Sequence, residues 1–260
     1  MSKFFRIIMP NYNNAEWLPK SIGSIKSQKF KDYQLFIGDD CSTDDSFETA
    51  LDYCNYINRT VHRNLQKRYN GGTRNALLEL PYKSDYTLFI DSDDWFVDEN
   101  VLQDLHDFII QNHFPDCIRL SYLCRIGDKE TPVILSDSNP SDLVHSAFVA
   151  CWTKCIKSEL VRPFPENTLM EDVVQHIDQC DVIKNVVPYK RPVIVWNRNN
   201  LGSCSRVENQ TLQRGKWQSS MYRYMADLLD LRLTHDYCIA ERDKRAKICL
   251  ENIKADKYIQ

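Results

Sequence analysis

The stretch Asp85-Tyr-Thr-Leu-Phe-Ile-Asp-Ser-Asp-Asp94 carries the strongest structural signal of this chain. Its segment Tyr86–Ile90 is rich in aromatic and β-branched residues, which predicts a buried strand, and three carboxylates follow within four residues at its carboxyl end. Carboxylates crowded at such a point repel one another and lose hydration unless water, hydrogen bonds or a cation compensates. Because only oxygen ligands are offered, the cluster suggests a site for Mg²⁺ or Mn²⁺ rather than for zinc. The structural alternative is that Asp93 or Asp94 caps the helix expected to begin near Asp98.

Strands and helices alternate on both sides of this stretch. The helices carry apolar residues at helical spacing and are predicted at about 15 to 26, 47 to 54, 70 to 80 and 101 to 109. Further strands are predicted at Phe4–Met9, where Pro10 ends the strand, at Tyr33–Ile37 and at Val61–Asn64. The alternation predicts an α/β fold, with a doubly wound, mostly parallel sheet and helices on both faces. Ligands of such folds lie outside the carboxyl ends of the strands.

After Asp116 the pattern becomes mixed, with strand-like and helical segments in irregular order. From about Glu208 onward two helices are predicted, over 210–233 and 237–254, and the first has an apolar stripe typical of a core or dimer contact. Before them, the predicted elements are antiparallel strands at 117–124 and 131–135, a strand at Phe148–Thr153, a helix at 171–177, a strand or strand pair at Val186–Trp196 and a flexible polar loop at Asn197–Ser205.

Composition narrows the classes of function. Hydrophobic residues make up 43% and charged residues 27% of the 260 residues, which is typical of a globular protein. The net charge of −3 offers no overall attraction to nucleic acid or anionic lipid. Ten cysteines are scattered without a CxxC pair, which favours reduced thiols. No apolar segment approaches the roughly 18 residues of a membrane span, so we expect a soluble, cytoplasmic protein.

Three other polar clusters accompany predicted elements. Asp39-Asp40 ends the second strand, just before residues suited to cap the next helix. The glycines of Asn70-Gly-Gly-Thr-Arg74 permit close backbone approach, so Arg74 could meet a phosphate; the alternative is a Gly-rich turn with a solvated arginine. Glu171-Asp172 begins a helix, where stabilisation by the helix dipole is the alternative to a chemical role.

Six groups of residues resemble the family-2 glycosyltransferases of GT-A fold, in order and spacing, over roughly residues 4 to 200. The groups are Pro10-Asn-Tyr-Asn13, Ser24 with Gln28, Asp39-Asp-Cys-Ser-Thr-Asp44, Asn70 with Arg74-Asn75, Asp91-Ser-Asp-Asp94 and Glu171-Asp172. The resemblance implies a GT-A domain over 1–205, in which 1–116 bind the nucleotide-sugar and 117–205 the acceptor. The helical extension at 206–260 lies outside the resemblance and is a candidate contact for a homodimer.

On the donor side, the resemblance assigns residues to the nucleotide pocket. Pro10 and Tyr12 would wall this pocket. Asp40 would hydrogen-bond the base, and Asp39 would shape the same loop. Arg74 would lie near the base or the diphosphate.

The acidic cluster would form the DxD motif of the family. Asp91 would face the ribose and also contact the cation, and Asp93 would bind the Mn²⁺ or Mg²⁺ cofactor. Ser92 would belong to the nucleotide-sugar-binding residues. Asp94 could replace Asp93, because the acidic run leaves the register open by one residue.

On the acceptor side, the resemblance makes Asp172 the general base and places Glu171 and Trp152 near the acceptor. The chemistry needs two acidic sites, since a cation neutralises the leaving diphosphate while an opposite carboxylate deprotonates the acceptor hydroxyl. The sequence departs from the family pattern at Cys41, where Gly is common. It also lacks a QxxRW motif, which argues against processive polymer synthesis.

The expected activity is inverting, metal-dependent transfer from a nucleotide-diphosphate sugar to a hydroxyl of a saccharide or glycoconjugate. One alternative is a bacteriophage-type enzyme that glycosylates hydroxymethylated cytosine in DNA, with Lys26, Lys29 and Lys31, or the basic residues of the helical tail, as phosphate contacts. The low net charge argues against strong non-specific DNA affinity. Another alternative is a non-catalytic nucleotide-sugar-binding module, which the presence of both acidic sites disfavours. The donor sugar and the acceptor do not follow from these motifs.

Overall fold

A computed structural model describes residues 2–53, 59–135, 150–166, 171–180 and 182–203. Its first half is a parallel sheet of four strands in the order β3-β2-β1-β4. Strand β1 is buried from Phe4 to Asn11 because it lies inside the sheet, which explains why its sequence is an apolar run without alternation. The strands are β1 (Lys3–Asn11), β2 (Tyr33–Asp39), β3 (Arg59–Arg63) and β4 (Ser84–Phe89).

Four helices connect or follow these strands. Apolar residues at helical spacing bury one side of α1 (Leu18–Lys26) and of α4 (Val101–Gln111), and in α1 the side chains of Leu18, Ile22 and Ile25 are fully buried. Burying such a side chain stabilises the fold by about 1.5 to 3 kcal/mol relative to leaving it in water. The helices are α1 (Leu18–Lys26), α2 (Ser46–Tyr53), α3 (Tyr69–Leu78) and α4 (Val101–Gln111).

The second half extends the same sheet in mixed orientation, in the order β4-β8-β6-β9-β5. Strand β8 is antiparallel to both β4 and β6, whereas β6 and β9 are parallel and β7 pairs with the end of β6. The predicted hairpin around Gly127 is present, and this glycine has a positive φ of 59°. The elements are β5 (Trp95–Phe96), β6 (Cys117–Ile126), β7 (Lys129–Val133), β8 (Lys154–Lys157), α5 (Glu171–Cys180) and β9 (Val186–Asn197).

The predicted α/β fold is confirmed, but Pro10 does not end the first strand. Strand β1 continues to Asn11, and Pro10 is the register partner of Gly38 in β2. Pairing of β1 with β4 ends at Ile8, whose carbonyl oxygen accepts from the N–H of Ile90 at 3.1 Å. Pro10 lies beyond this point, so its missing N–H does not interrupt the ladder with β4.

The strand predicted at Phe148–Thr153 is also wrong within the described residues. Residues Cys151–Thr153 form a 3₁₀ turn, and the strand begins at Lys154. Thr153 closes the turn, because its N–H and its hydroxyl both donate to the carbonyl oxygen of Ala150, at 3.1 and 2.6 Å.

The loop predicted as flexible after β9 is hydrogen-bonded over its described part. The side chain of Asn199 both donates to and accepts from the backbone of Gly127. The side chain of Asn200 donates to Asn14 in the loop after β1 and to Asp93 in the loop after β4. The predicted helices beyond residue 205 lie outside the described ranges. Within those ranges, no helix is long and apolar enough to span a membrane.

Candidate active site

Arg74 joins two carboxylates that come from distant parts of the chain. Its guanidinium donates from Nη2 to Asp91 Oδ1 at 2.8 Å and from Nη1 to Glu171 Oε1. The side chain is only 3% exposed, and its Cζ lies 5.2 Å from the ring centroid of Phe164. The alternative in which Arg74 is a solvated arginine in a Gly-rich turn is therefore wrong. Arg74 instead fastens the start of α5 to the loop after β4.

Asp172 lies in the same electrostatic environment, but is more accessible than its neighbour. Glu171 is buried, whereas Asp172 is partly exposed. Burial raises the pKa of Asp172 above its ordinary value, the cations of Arg74 and Lys154 oppose this shift, and the Asp91 carboxylate adds to it. A carboxylate that is accessible and has a raised pKa is suited to accept a proton from a substrate hydroxyl.

Lys154 is a site residue that the sequence analysis missed. It begins β8, is 1% exposed, and donates from Nζ to the carbonyl oxygen of Ala150 at 3.1 Å. Its charge acts on Asp172, as that of Arg74 does, so two buried cations lower the pKa of this carboxylate against the effect of burial. The signal for this residue in the sequence was a lysine directly before the apolar pair Cys155-Ile156. Because the predicted strand ended at Thr153, Lys154 fell outside the predicted sheet.

The loop after β4 divides its carboxylates between two environments. Asp94 is buried, and its Oδ1 accepts from the N–H of Asn197 at 2.8 Å, which ties the loop to the end of β9. Asp91 and Asp93 are partly exposed at the carboxyl edge of the sheet. Other side chains cap the start of α4, since the N–H of Leu102 donates to Gln28 Oε1 at 3.0 Å and the N–H of Asn100 donates to Asp98 Oδ1 at 2.8 Å, so the capping alternative for Asp93 and Asp94 is wrong.

Crowding in this loop makes it receptive to a cation. Burial, followed by the charge of Asp91, raises the pKa of Asp93 to about 6. Burial, followed by the charges of Asp93 and Asp91, raises the pKa of Asp94 well above its ordinary value. The described ranges contain no cluster of three or more His, Cys, Asp or Glu side chains arranged to hold a metal. Two accessible carboxylates nevertheless fit Mg²⁺ or Mn²⁺, because such ions are commonly held by one or two carboxylates together with substrate phosphates.

Asp39 and Asp40 already have protein partners in this structure. Asp40 Oδ1 accepts from Asn64 Nδ2 and from the N–H of Arg68, and Oδ2 accepts from the N–H of Tyr69, at 2.7 to 2.8 Å. Asp40 therefore caps α3, a role that the sequence did not reveal. Asp39 is buried and accepts from Asn11 Nδ2 and the N–H of Ser42, which shapes the loop after β2. A contact of Asp40 with the base stays a prediction.

The glycines at the start of α3 are explained by packing. A Cβ at Gly71 would overlap the carbonyl oxygen of Pro165, and a Cβ at Gly72 would lie 2.7 Å from the Cβ of Arg68. Both glycines therefore permit close approach of protein groups, and the carboxylate of Asp40 occupies the helix terminus where a phosphate was considered.

The two aromatic residues assigned to substrate differ in accessibility. Tyr12 is 39% exposed, and Lys67 Nζ lies 3.2 Å from its ring centroid. Trp152 is 7% exposed and packs against Tyr122 and Trp196, with ring centroids 4.9 and 5.8 Å apart. Trp152 thus supports the site from the core, and a contact with the acceptor stays a prediction. Pro10 and Ser92 are buried, and Ser92 Oγ accepts from Asn14 Nδ2 at 2.8 Å.

We expect the stability of the metal-free protein to fall as pH rises from about 4.5 to about 7. Burial, opposed by Arg74 and helped by Asp172, raises the pKa of Glu171 from 4.5 to about 7. In this window the unfolded chain has lost the proton that the folded chain keeps, which lowers the free energy of unfolding by on the order of 3 kcal/mol.

Urea unfolding across this pH window tests the assignment to Glu171. Glu171→Gln should show a shallower decline than the parent protein, because its side chain does not titrate. Glu166→Gln changes an exposed glutamate and should keep the parental slope. A Glu171→Gln slope equal to that of the parent would contradict the assignment.

Comparison with known proteins agrees with this architecture. The family model described as Glycosyl transferase family 2 matches residues 6–133. Poly(ribitol-phosphate) beta-N-acetylglucosaminyltransferase TarS of Staphylococcus aureus is 30% identical over 115 residues, which are 42% of this chain and 19% of TarS. Glycosyltransferase GlyA of Streptococcus pneumoniae is 22% identical over 89% of this chain and 35% of its own length. The matches therefore span about a fifth to a third of these relatives.

Solved structures show the same fold. S. aureus TarS 1-349 in complex with UDP-GlcNAc has a TM-score of 0.75 at 19% identity, over 97% of this chain and 73% of that one. The mannosyltransferase PcManGT from Pyrobaculum calidifontis, in complex with GDP-Man and Mn²⁺, has a TM-score of 0.68 at 12% identity, over 99% and 73%. The predicted GT-A type fold is thereby confirmed. Residues 6–133 of this chain therefore form a glycosyl transferase family 2 domain.

Proposed function

We propose that this protein is an inverting, metal-dependent glycosyltransferase that moves a sugar from a nucleotide-diphosphate sugar to an acceptor hydroxyl. The observation that carries the proposal is the link made by Arg74. It brings the accessible carboxylates after β4 and the Glu171-Asp172 pair of α5 into one site. The reaction requires one acidic site for the cation and one for the acceptor proton, and these two groups of carboxylates would supply them.

In the proposed reaction, Asp172 accepts the proton of the acceptor hydroxyl as its oxygen attacks the anomeric carbon. A new carbon–oxygen bond forms on one side of the sugar while the bond to the diphosphate breaks on the other. The electron pair of the broken bond stays on the diphosphate. One displacement of this kind inverts the anomeric centre and needs no nucleophile from the protein.

Asp91 and Asp93 would hold the divalent cation, which when bound neutralises charge on the leaving diphosphate. Asp91 also accepts from Arg74, which restricts the orientation of its carboxylate. Asp94 ties the loop to β9 and keeps these two carboxylates at the edge of the sheet. Tyr12, which is exposed in the loop after β1, is proposed as a wall of the nucleotide pocket.

The similar proteins suggest where to begin the search for substrates. The solved complexes named above contain UDP-GlcNAc and GDP-Man, and the name of TarS refers to a poly(ribitol-phosphate) acceptor. We therefore propose a UDP-sugar or GDP-sugar donor and a saccharide or polyol-phosphate glycoconjugate acceptor.

A screen for protein-dependent release of UDP or GDP tests the proposal. We expect release with one of these donors in the presence of Mg²⁺ or Mn²⁺, and a return to background when excess chelator is added. Asp93→Asn should abolish the metal-dependent release. Asp85→Asn, an exposed residue at the opposite end of β4, is the matched control and should keep the parental rate.

The acceptor arms of the screen separate the outcomes. Hydroxymethylated DNA belongs among them, next to saccharides and polyol phosphates, so that the DNA alternative is tested directly. Full turnover in excess chelator would contradict metal dependence. Nucleotide binding without turnover on any acceptor would instead support the non-catalytic binding module.

A further inference from the structure

Asn200, in the loop after β9, connects two loops of the proposed donor site. Its Nδ2 donates to Asp93 Oδ2 at 2.8 Å and to Asn14 Oδ1 at 2.9 Å, which uses both amide protons. Its Oδ1 accepts from the N–H of Gly202 at 2.9 Å. The side chain is 7% exposed, so these hydrogen bonds are shielded from competing water.

Asn14 continues the connection on the other side. Its Nδ2 donates to Ser92 Oγ and its backbone N–H donates to Ser46 Oγ, both at 2.8 Å. We call the pair Asn14 and Asn200 the amide bridge. It joins the loop after β1, the start of α2, the acidic loop after β4 and the loop after β9.

We propose that Asn200 is a positioning residue for the cation, which acts by fixing the carboxylate of Asp93 through the amide bridge. This inference rests on the proposed function. A neutral amide that donates to one carboxylate oxygen orients the group without removing its charge, so Asp93 remains an anionic ligand. Because the same amide holds Asn14, the geometry of the cation site is coupled to the loop after β1. An aspartate at position 200 could not play this part, since an ionised carboxylate donates no hydrogen bond.

The competing explanation is that Asn200 only fastens its own loop. Asn199 provides a matched control for this possibility. It lies in the same loop and exchanges two hydrogen bonds with the backbone of Gly127, at 2.7 and 2.8 Å, but these bonds lead to the β6–β7 hairpin. If fastening the loop were sufficient, loss of either asparagine would have a similar effect on the cation.

Mn²⁺ binding to the full chain in the presence of saturating UDP or GDP tests the proposal. The readout is the free-Mn²⁺ signal in electron paramagnetic resonance, which does not depend on turnover. We expect Asn200→Ala to weaken Mn²⁺ binding by about 10- to 100-fold, the usual effect of removing a group that orients a metal ligand. Asn199→Ala should bind Mn²⁺ as the parent does. Asn200→Leu keeps approximately the same side-chain volume and serves if the alanine variant does not fold.

A double-variant cycle shows whether Asn200 acts through Asp93. In the Asp93→Ala background, Asn200→Ala should change Mn²⁺ affinity less than about twofold, because the group that it positions is gone. Equal effects of the Asn199 and Asn200 substitutions, or additive effects of Asn200 and Asp93, would overturn the inference alone. Failure of the parent protein to bind Mn²⁺ with either nucleotide would overturn the metal dependence in the proposed function as well.

Discussion

Asp172→Asn is expected to lower turnover by about 10² to 10⁴ while nucleotide affinity stays at the parental value. The substitution preserves the size of the side chain and removes the atom that would accept the proton. Nucleotide affinity should survive, because Asp172 belongs to α5 whereas the proposed donor contacts lie at Arg74 of α3 and in the loops after β1, β2 and β4. A purely structural carboxylate at a helix start would cause only a small loss of stability and nearly normal turnover.

The rate and the affinity must be measured on the same folded preparation. Initial rates at saturating donor and acceptor give the turnover rate, and calorimetry with UDP or GDP gives the nucleotide affinity. Glu171→Gln is the variant to compare with Asp172→Asn. Glu171 is buried and paired with Arg74, whereas Asp172 is partly exposed. If Asp172→Asn kept a rate within a few-fold of the parent, the role of base would move to Glu171.

Arg74→Met should lower the free energy of unfolding near pH 7 by about 3 to 5 kcal/mol. Methionine fills a similar volume but leaves Asp91 and the buried Glu171 without their cation, so Glu171 either stays as an unpaired buried charge or takes up a proton, and both outcomes cost stability. Urea unfolding followed by fluorescence measures this loss.

Two further variants isolate the cause of that loss. Arg68→Met removes the more exposed ion pair with Glu166 on the same helix terminus and should cost less than about 1 kcal/mol. Adding Glu171→Gln to Arg74→Met should restore part of the stability, because one unpaired carboxylate becomes neutral. If the double variant were no more stable than Arg74→Met, the loss would come from packing against Phe164 rather than from charge.

The sequence was sufficient for the parallel strands of the first half of the sheet and for the acidic residues at their ends. These features depend on local composition, and parallel strands deliver their carboxyl ends to one edge whatever the rest of the chain does. The resemblance also drew attention to Cys41, where Gly is common. The structure supplies the reason, since Cys41 has a φ of 62°, in the left-handed region that costs non-glycine residues about 1 to 2 kcal/mol.

The partners of the site residues did not follow from the sequence. Arg74 and Glu171 are 97 residues apart, and Asn14 and Asn200 are 186 residues apart. Such contacts depend on how the loops pack against one another once the sheet has formed. The periodicity of the sequence contains no information about that packing. For the same reason, the cap that Asp40 provides to α3 was hidden by the more obvious capping residues beside it.

The position of β8 between β4 and β6 has a consequence for synthesis of the chain. Strand β4 pairs with β1 on one side. Its other edge stays unpaired until β8 has been synthesised, and β8 begins about 65 residues after β4 ends. At ribosomal rates of roughly 5 to 20 residues per second, a nascent chain carries this open apolar edge for several seconds. Unpaired edges of this kind are templates for association with other chains. We expect truncations that end before Lys154 to aggregate, with the parallel first half of the sheet formed and the free edge of β4 uncovered.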